Sequence, residues 1–178
     1  MPSKSIRRAT PEDVPILTQI RNDAHAKKVS YCDYAWGKEG DGFSESWVRH
    51  NVAEREVYVV ELEGTMVGTF SLALGEDSHW EPSEPTAGYV HGLSVRRDFN
   101  GRGLGRYMLD WCAEKMSSLN RLFVRLDCPA HNVKLCAYYE SLGFTCTGWY
   151  SEPEPGSDVW SLYEKSVNPC VNVLRPGF

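Results

Sequence analysis

Residues 100–106, Asn100-Gly101-Arg102-Gly103-Leu104-Gly105-Arg106, set three glycines at alternate positions between a β-rich run and an amphipathic run. A strand that turns through glycines into a helix presents consecutive backbone N–H groups at the positive end of the helix dipole, which attracts phosphate. Glycines let the backbone approach an anion closely, and Arg102 and Arg106 add positive charge. The plainer alternative is a tight turn carrying solvated arginines. A P-loop would need Gly-Lys-Ser or Gly-Lys-Thr, whereas Gly105 is followed by Arg106 and Tyr107. The dinucleotide fingerprint needs Gly-x-Gly-x-x-Gly, and the spacing here is Gly-x-Gly-x-Gly. Asp127 stands near where a ribose-binding acid would sit, so a dinucleotide-binding protein is retained as an alternative, although too few parallel strands remain for that fold.

The elements that would position this turn are legible from patterning. Residues 4–9 read as a first strand, and Thr10-Pro11-Glu12-Asp13 starts a helix whose buried stripe is Val14, Leu17, Ile20 and Ala24. An aromatic, irregular stretch (31–37) and a short helix (44–54) follow. Val57–Leu62 and Met66–Leu74 flank Glu63-Gly64-Thr65, an antiparallel hairpin. Ala87–Val95 is the next strand, and the helix after the glycine turn buries Leu104, Met108, Trp111 or Cys112, and Met116. A strand at 121–127, a helix at 131–142, a strand from the Gly143-Phe144 turn to Tyr150 and a last strand at 158–166 complete the order. An antiparallel half followed by strand, helix, strand, helix, strand predicts one mixed α/β sheet with helices on both faces. The predicted domain is 1–166, with 167–178 as a loose tail.

A chain of 178 residues with 42% apolar content supports one core and is short for two domains. The formal charge of −5 argues against coating nucleic acid or an anionic membrane. No apolar run approaches a membrane span and the start lacks a secretory pattern, so a cytoplasmic protein is expected. The six cysteines show no Cys-x-x-Cys spacing, which predicts buried free thiols and no metal framework. The charge is segregated: residues 56–95 hold seven acids and no Lys or Arg, residues 96–125 hold seven bases against three acids, and residues 150–164 hold four acids and no base.

Leu93-Ser94-Val95, Arg96-Arg97-Asp98-Phe99 and the 100–105 turn resemble the coenzyme-A motif of the GNAT superfamily of acyl-CoA-dependent N-acyltransferases. Asn132, Tyr139, Glu140 and Leu142-Gly143-Phe144 resemble that family's second motif. The two motifs cover roughly the middle third of the chain. Asn100 departs from the Gln or Arg usual there, which weakens one pyrophosphate contact. The resemblance implies a single GNAT-like domain, a mostly antiparallel sheet of about seven strands with about four helices, splayed between the 87–95 and 121–127 strands. It implies acetyl-CoA as co-substrate, with no metal. Leu93, Ser94 and Val95 would meet the pantetheine arm, residues 101–106 the pyrophosphate, and Asn132 the pantetheine or its neighbouring phosphate. Members of the family are often dimers, which leaves a homodimer open.

An alkylamine is mostly protonated at neutral pH, and deprotonating it costs on the order of 4 to 5 kcal/mol, so a base in the site helps. His91 lies on the strand where the family commonly places its base; Glu84, Glu76 and Asp127 are alternatives. Tyr139 holds the family's position for the acid that protonates the departing thiolate. The rival mechanism forms an acyl-enzyme on Cys128 or Cys136. In the family, the first helix, the loop after it and loops at later strand ends line the acceptor site. Here they carry Tyr31, Asp33, Tyr34, Trp36, Trp80, Glu84 and Tyr150, together with Glu76, Asp77, His79, Glu81, Trp149, Glu152 and Glu154. Carboxylates with aromatics suit a cationic amine. The expected acceptor is a small primary amine, with a protein lysine or N-terminal amine second and a catalytically silent acyl-CoA-binding module as a further alternative.

Overall fold

The computed structural model describes residues 3–75, 77–81 and 86–167. Seven strands form one sheet: β1 (Lys4–Arg8), β2 (Val57–Leu62), β3 (Thr65–Ala73), β4 (Ala87–Val95), β5 (Phe123–Pro129), β6 (Thr145–Ser151) and β7 (Val159–Ser166), in the order β1-β2-β3-β4-β5-β7-β6. Every neighbouring pair is antiparallel except β4 with β5. The helices are α1 (Val14–Ser30), α2 (Glu45–Glu54), α3 (Leu104–Ser118) and α4 (Val133–Ser141). This is the expected sheet with helices on both faces. None of the described helices is long and apolar enough to cross a membrane.

Alternation along the strands feeds two cores. Val60, Phe70, Leu72, Val90, Val124 and Leu126 pack with Leu104, Met108 and Met116 of α3 and Tyr139 of α4. Val59 and Met66 turn the other way onto Val14, Leu17 and Ile20 of α1 and Val48 and Val52 of α2.

Several expected boundaries shift. Pro11–Asp13 is a 3-10 turn, so α1 starts at Val14; the Asp13 carboxylate turns back to accept from the Thr10 N–H at 2.8 Å and takes the Arg7 guanidinium at 2.7 and 2.9 Å. His25 is buried on α1 in place of Ala24, which is only half-buried, and its Nε2 lies 3.3 Å from the Gly37 carbonyl. The fifth strand runs 123–129 because residues 119 and 120 close α3 and residue 121 still bonds back to it through the Met116 carbonyl. Cys112 and Cys128 are buried free thiols, but Cys32 is exposed: it sits in the turn after α1 at φ +57°, a position with no core above it. Residues 168–178, including Cys170 and nearly all of the expected tail, lie outside the described residues.

Candidate active site

The parallel pairing of β4 and β5 is short. Ala87, Gly88 and Tyr89 pair with Phe123, Val124 and Arg125, and beyond Tyr89 the strands diverge. Main-chain groups of β4 that face β5 past this point have no strand partner. The opposite edge of β4 is bulged, since Thr69 pairs with Ser94 and Ser71 with His91, leaving Gly92 and Leu93 across from Phe70 alone. Gly92 takes φ +61°, and its carbonyl accepts from the Ser94 hydroxyl at 3.0 Å. A cleft of about 1790 Å³ opens at this divergence.

The glycine turn forms one wall. Gly101 and Gly103 have φ of +76° and +71°, and Gly103 is the residue that opens α3. Gly103 supplies no side-chain cap, which leaves the N–H groups of Leu104 and Gly105 for an anion, while the Tyr138 hydroxyl lies against Gly105 and the Arg106 N–H. A Cβ at either glycine would meet nothing, so left-handed backbone, and not crowding, calls for glycine there. At Gly101 and Gly103 the turn therefore fits a phosphate, with open space above the backbone, whereas the Tyr138 hydroxyl stands over Gly105. Asn100, Gly101, Gly103, Leu104 and Gly105 line the cleft, whereas Arg102 and Arg106 do not. The Arg102 guanidinium lies 4.9 Å from the centre of the Phe99 ring. Arg97, which the sequence did not single out for itself, does line the cleft. The Asn100 amide donates to the Arg97 carbonyl at 2.9 Å, bracing its own turn.

His91 and Asp127 alternate with the inward Val90, Leu126 and Cys128, which puts them on the sheet face that carries α1. Tyr139 belongs to the core on the other face. The two residues proposed from sequence for proton transfer thus both line the cleft, from opposite sides of the splay. His91 Nε2 donates to Asp77 Oδ2 at 2.9 Å, which in the neutral ring leaves Nδ1 as the acceptor. Asp77 Oδ1 accepts from the His79 N–H at 2.9 Å. Burial alone would raise the Asp77 carboxyl, but the His91 hydrogen bond and the His79 N–H outweigh it and hold it below its ordinary value. A second dyad lies beside the first: His79 Nδ1 donates to Asp127 Oδ2 at 2.6 Å, and the His79 ring stacks on Tyr150 at 4.3 Å. Ligand atoms of Asp77, His79 and Asp127 come within 4.8 Å of one another, but an ion there would displace these hydrogen bonds. Sequence reading placed Asp77 and His79 only among the acceptor-loop residues, because nothing in the spacing shows that His79 meets a residue 48 positions on.

Tyr139 is 8% exposed, packed at 6.0 Å from both Phe144 and Tyr163, and burial pushes its phenol well above the ordinary value. Cys128 and Cys136 have sulfurs 3.7 Å apart, and burial drives the Cys128 thiol up, away from the thiolate.

Tyr31, Asp33 and Trp36 line the cleft; Tyr34, Trp80 and Tyr150 do not. Glu84 and Glu76 lie outside the described residues. Asp33 is 1% exposed and accepts from Lys28 Nζ and from the Asn132 amide, each at 2.9 Å. Its carboxyl, pushed up by burial, is brought below its ordinary value by these donors. Asn132 Oδ1 accepts from the Leu135 N–H at 3.2 Å, so this side chain caps α4 and ties the loop after α1 to it. One lining residue had no sequence signal. Arg21, on α1, sends its guanidinium to the Gly92 carbonyl at 3.0 Å, among Trp36, Phe43 and Trp47.

A family model described as the acetyltransferase (GNAT) family matches residues 17–144. Over 93 residues the chain is 34% identical to the uncharacterized N-acetyltransferase YesJ of Bacillus subtilis (strain 168), a stretch making up 52% of this chain and 46% of that protein. The chain thus matches about half the length of this curated relative. Among solved structures, the fold is similar to the putative acetyltransferase YncA of Salmonella typhimurium with its cofactor acetyl-CoA (TM-score 0.65, 18% identity, 94% of this chain and 96% of that one). It is also similar to the aminoglycoside acetyltransferase AAC(6')-Ib in complex with coenzyme A (TM-score 0.71, 18% identity, 92% and 95%).

Proposed function

Because the chain belongs to the GNAT family of acetyltransferases, we propose that it transfers the acetyl group of acetyl-CoA to the primary amine of a small molecule that reaches the cleft as a cation. The observation that carries this reading is the divergence of β4 from β5 beyond Tyr89, which sets the glycine turn and Tyr139 against His91 across one cleft. In it, unpaired main-chain groups of Leu93, Ser94 and Val95 receive the pantetheine arm, and the backbone of Gly101, Gly103, Leu104 and Gly105 holds the pyrophosphate, with Arg102 and Arg106 outside the cleft adding only their charge. Asn132 serves the same site by fixing the start of α4. The bound co-substrate supplies an acyl group activated as a thioester.

On the α1 face, His91 accepts the amine proton at Nδ1, while the ionised Asp77 keeps the proton on Nε2 and stabilises the imidazolium that forms. A backbone N–H at the bulge stabilises the oxyanion of direct attack. On the opposite face, Tyr139 stays protonated and delivers its proton to the departing sulfur. Its raised pKa makes it a weak acid in the resting cleft, so the transfer is driven when thiolate charge develops in the same dry surroundings. Transfer is direct, in a ternary complex: the buried Cys128 thiol is a poor nucleophile in its resting state.

Thermal-shift titration with acetyl-CoA, coenzyme A and NAD tests the donor, because a ligand that binds only the native state raises apparent stability. An amine panel that includes lysine peptides, read by released thiol, tests the acceptor. Stabilisation by coenzyme A species and thiol release with a small amine are expected. No response to any coenzyme A species refutes the proposal, and binding without thiol release identifies a silent module instead.

A further inference from the structure

Arg21 is a cation held in the acceptor half of the cleft with no anion beside it among the described residues. It rises from α1 on the face that carries His91, and its Nη1 donates to the carbonyl of Gly92, the next residue after His91. A Cβ at Gly92 would collide with that nitrogen, so strand and guanidinium are fitted to each other. Trp36, Phe43 and Trp47 surround the guanidinium carbon at 4.7, 4.6 and 5.3 Å. These rings pack around the guanidinium and accept none of its in-plane hydrogen bonds.

The guanidinium has five N–H donors, and the Gly92 carbonyl accepts one direction of them. Arg21 Nε is buried with no hydrogen-bond partner, and among the described residues Arg21 forms no ion pair. Lys28, further along α1, is by contrast matched by Asp33 at 2.9 Å. Burial, with the like charge of Arg55 adding to it, pulls the Arg21 pKa down to about 10. A largely desolvated charge and a buried orphan donor are both costly, and a bound anion would offset both. Planar forks of this kind match carboxylates.

We propose that Arg21 binds a carboxylate on the acceptor, which is therefore an amino acid-like molecule with an amine and a carboxylate a few bonds apart and not a simple alkylamine. The short spacing follows from the chain: Arg21 grips Gly92 and the base candidate is its neighbour, so amine and carboxylate are separated by roughly 4–7 Å, the span of one or two residues. The ammonium end meets His91 and Asp77 and the carboxylate end meets Arg21, which assigns opposite charges to the two ends of one small molecule. This inference rests on the acetyltransferase reading and narrows its acceptor.

The test compares matched acceptors: each of the common L-amino acids, its primary amide and its decarboxylated amine, with acetyl-CoA and detection of released thiol. At least one amino acid is expected to exceed both of its uncharged-end analogues by about thirtyfold or more in kcat/KM, since removing one partner of a buried charge pair has effects of that order. Arg21→Met should remove that preference, lowering kcat/KM for the acid by at least about tenfold more than for the amide and the amine. Arg21→Lys, which keeps the charge and loses the fork, should restore part of it. The preference of the wild-type protein decides the matter even where a variant fails to fold. Amides or amines used as well as the acids, or an equal loss for all three in Arg21→Met, overturns the inference and leaves the acetyltransferase reading intact. So does the use of no amino acid by a protein that acetyl-CoA still stabilises. Absence of any stabilisation by acetyl-CoA overturns the underlying reading instead.

Discussion

Replacing Asp77 by Asn alters two hydrogen-bond acceptors with almost no change in volume. The two oxygens of Asp77 accept from different groups, the His79 N–H and His91 Nε2, each at 2.9 Å. Asn offers one acceptor and one donor. If its oxygen keeps the His79 N–H, its NH₂ faces His91 Nε2, and the ring satisfies it only by moving its own proton to Nδ1, the atom proposed to accept the amine proton. If the amide turns round, His91 keeps the useful tautomer, but the NH₂ group faces the His79 N–H and a buried donor loses its partner. That loss costs about 1–3 kcal/mol. The inactive arrangement is thus favoured, and reaching the active one lowers kcat/KM by roughly 5- to 150-fold at 1.36 kcal/mol per decade. Loss of the carboxylate charge beside the developing imidazolium adds to this, so a reduction near 10²-fold is expected, within the usual range for general-base catalysis. The assay is initial-rate thiol release with the best acceptor in the panel, alongside the acetyl-CoA thermal shift as a check that the fold and cofactor site survive. A kcat/KM within about threefold of wild type, with the thermal shift unchanged, would falsify the His91–Asp77 mechanism.

Tyr139→Phe removes only a hydroxyl; kcat should fall about 10²-fold or more with little change in acetyl-CoA affinity, and full turnover would remove the acid role. Gly92→Ala forces a side chain onto backbone at φ +61° and displaces Arg21, so urea unfolding should show a loss of about 2–3 kcal/mol, and a loss below about 0.5 would contradict the fit between strand and guanidinium. The Arg7 guanidinium, followed by the Thr10 N–H, holds Asp13 below its ordinary pKa against the effect of burial. A carboxylate with a lowered folded-state pKa contributes stability that is full above its unfolded value, about 3.9, and lost as pH falls through the folded value. Asp13→Asn should therefore be less stable than wild type by about 1 kcal/mol at pH 7, and the gap should close in the acid range below about pH 4; an equal gap at both ends of a pH series of urea melts would refute this.

Much of the fold was readable along the chain because its signals are local. The hairpin of residues 57–74, the helix after the glycine turn and the strand at 87–95 each declare themselves by period and punctuation, and β2 and β4 occupy the expected residues. The turn itself was legible for the same reason, since left-handed backbone at Gly101 and Gly103 demands glycine. Boundaries slipped where a neighbour through space decided them, as where Asp13 turned back to Arg7 and delayed α1.

By itself, then, the sequence determined the order of elements, the left-handed glycine turn that opens α3 and the elements that carry His91 and Tyr139, all of which depend on residues close together in the chain. Only the tertiary structure decided how those residues are partnered. It set His91 on Asp77, His79 on Asp127 across 48 positions, and Arg21 on Gly92 across 71, and it engaged Asp33 and Asn132 with each other across 99. Composition showed acidic segments that suit a cation, yet a charge acts according to what lies beside it in space. Asp33 is answered by Lys28, while Arg21, in the same helix as that lysine, has no carboxylate to meet it among the described residues. Side-chain pairing is set by strand register and helix docking, which bring distant positions within a few ångströms, and local spacing carries no trace of that.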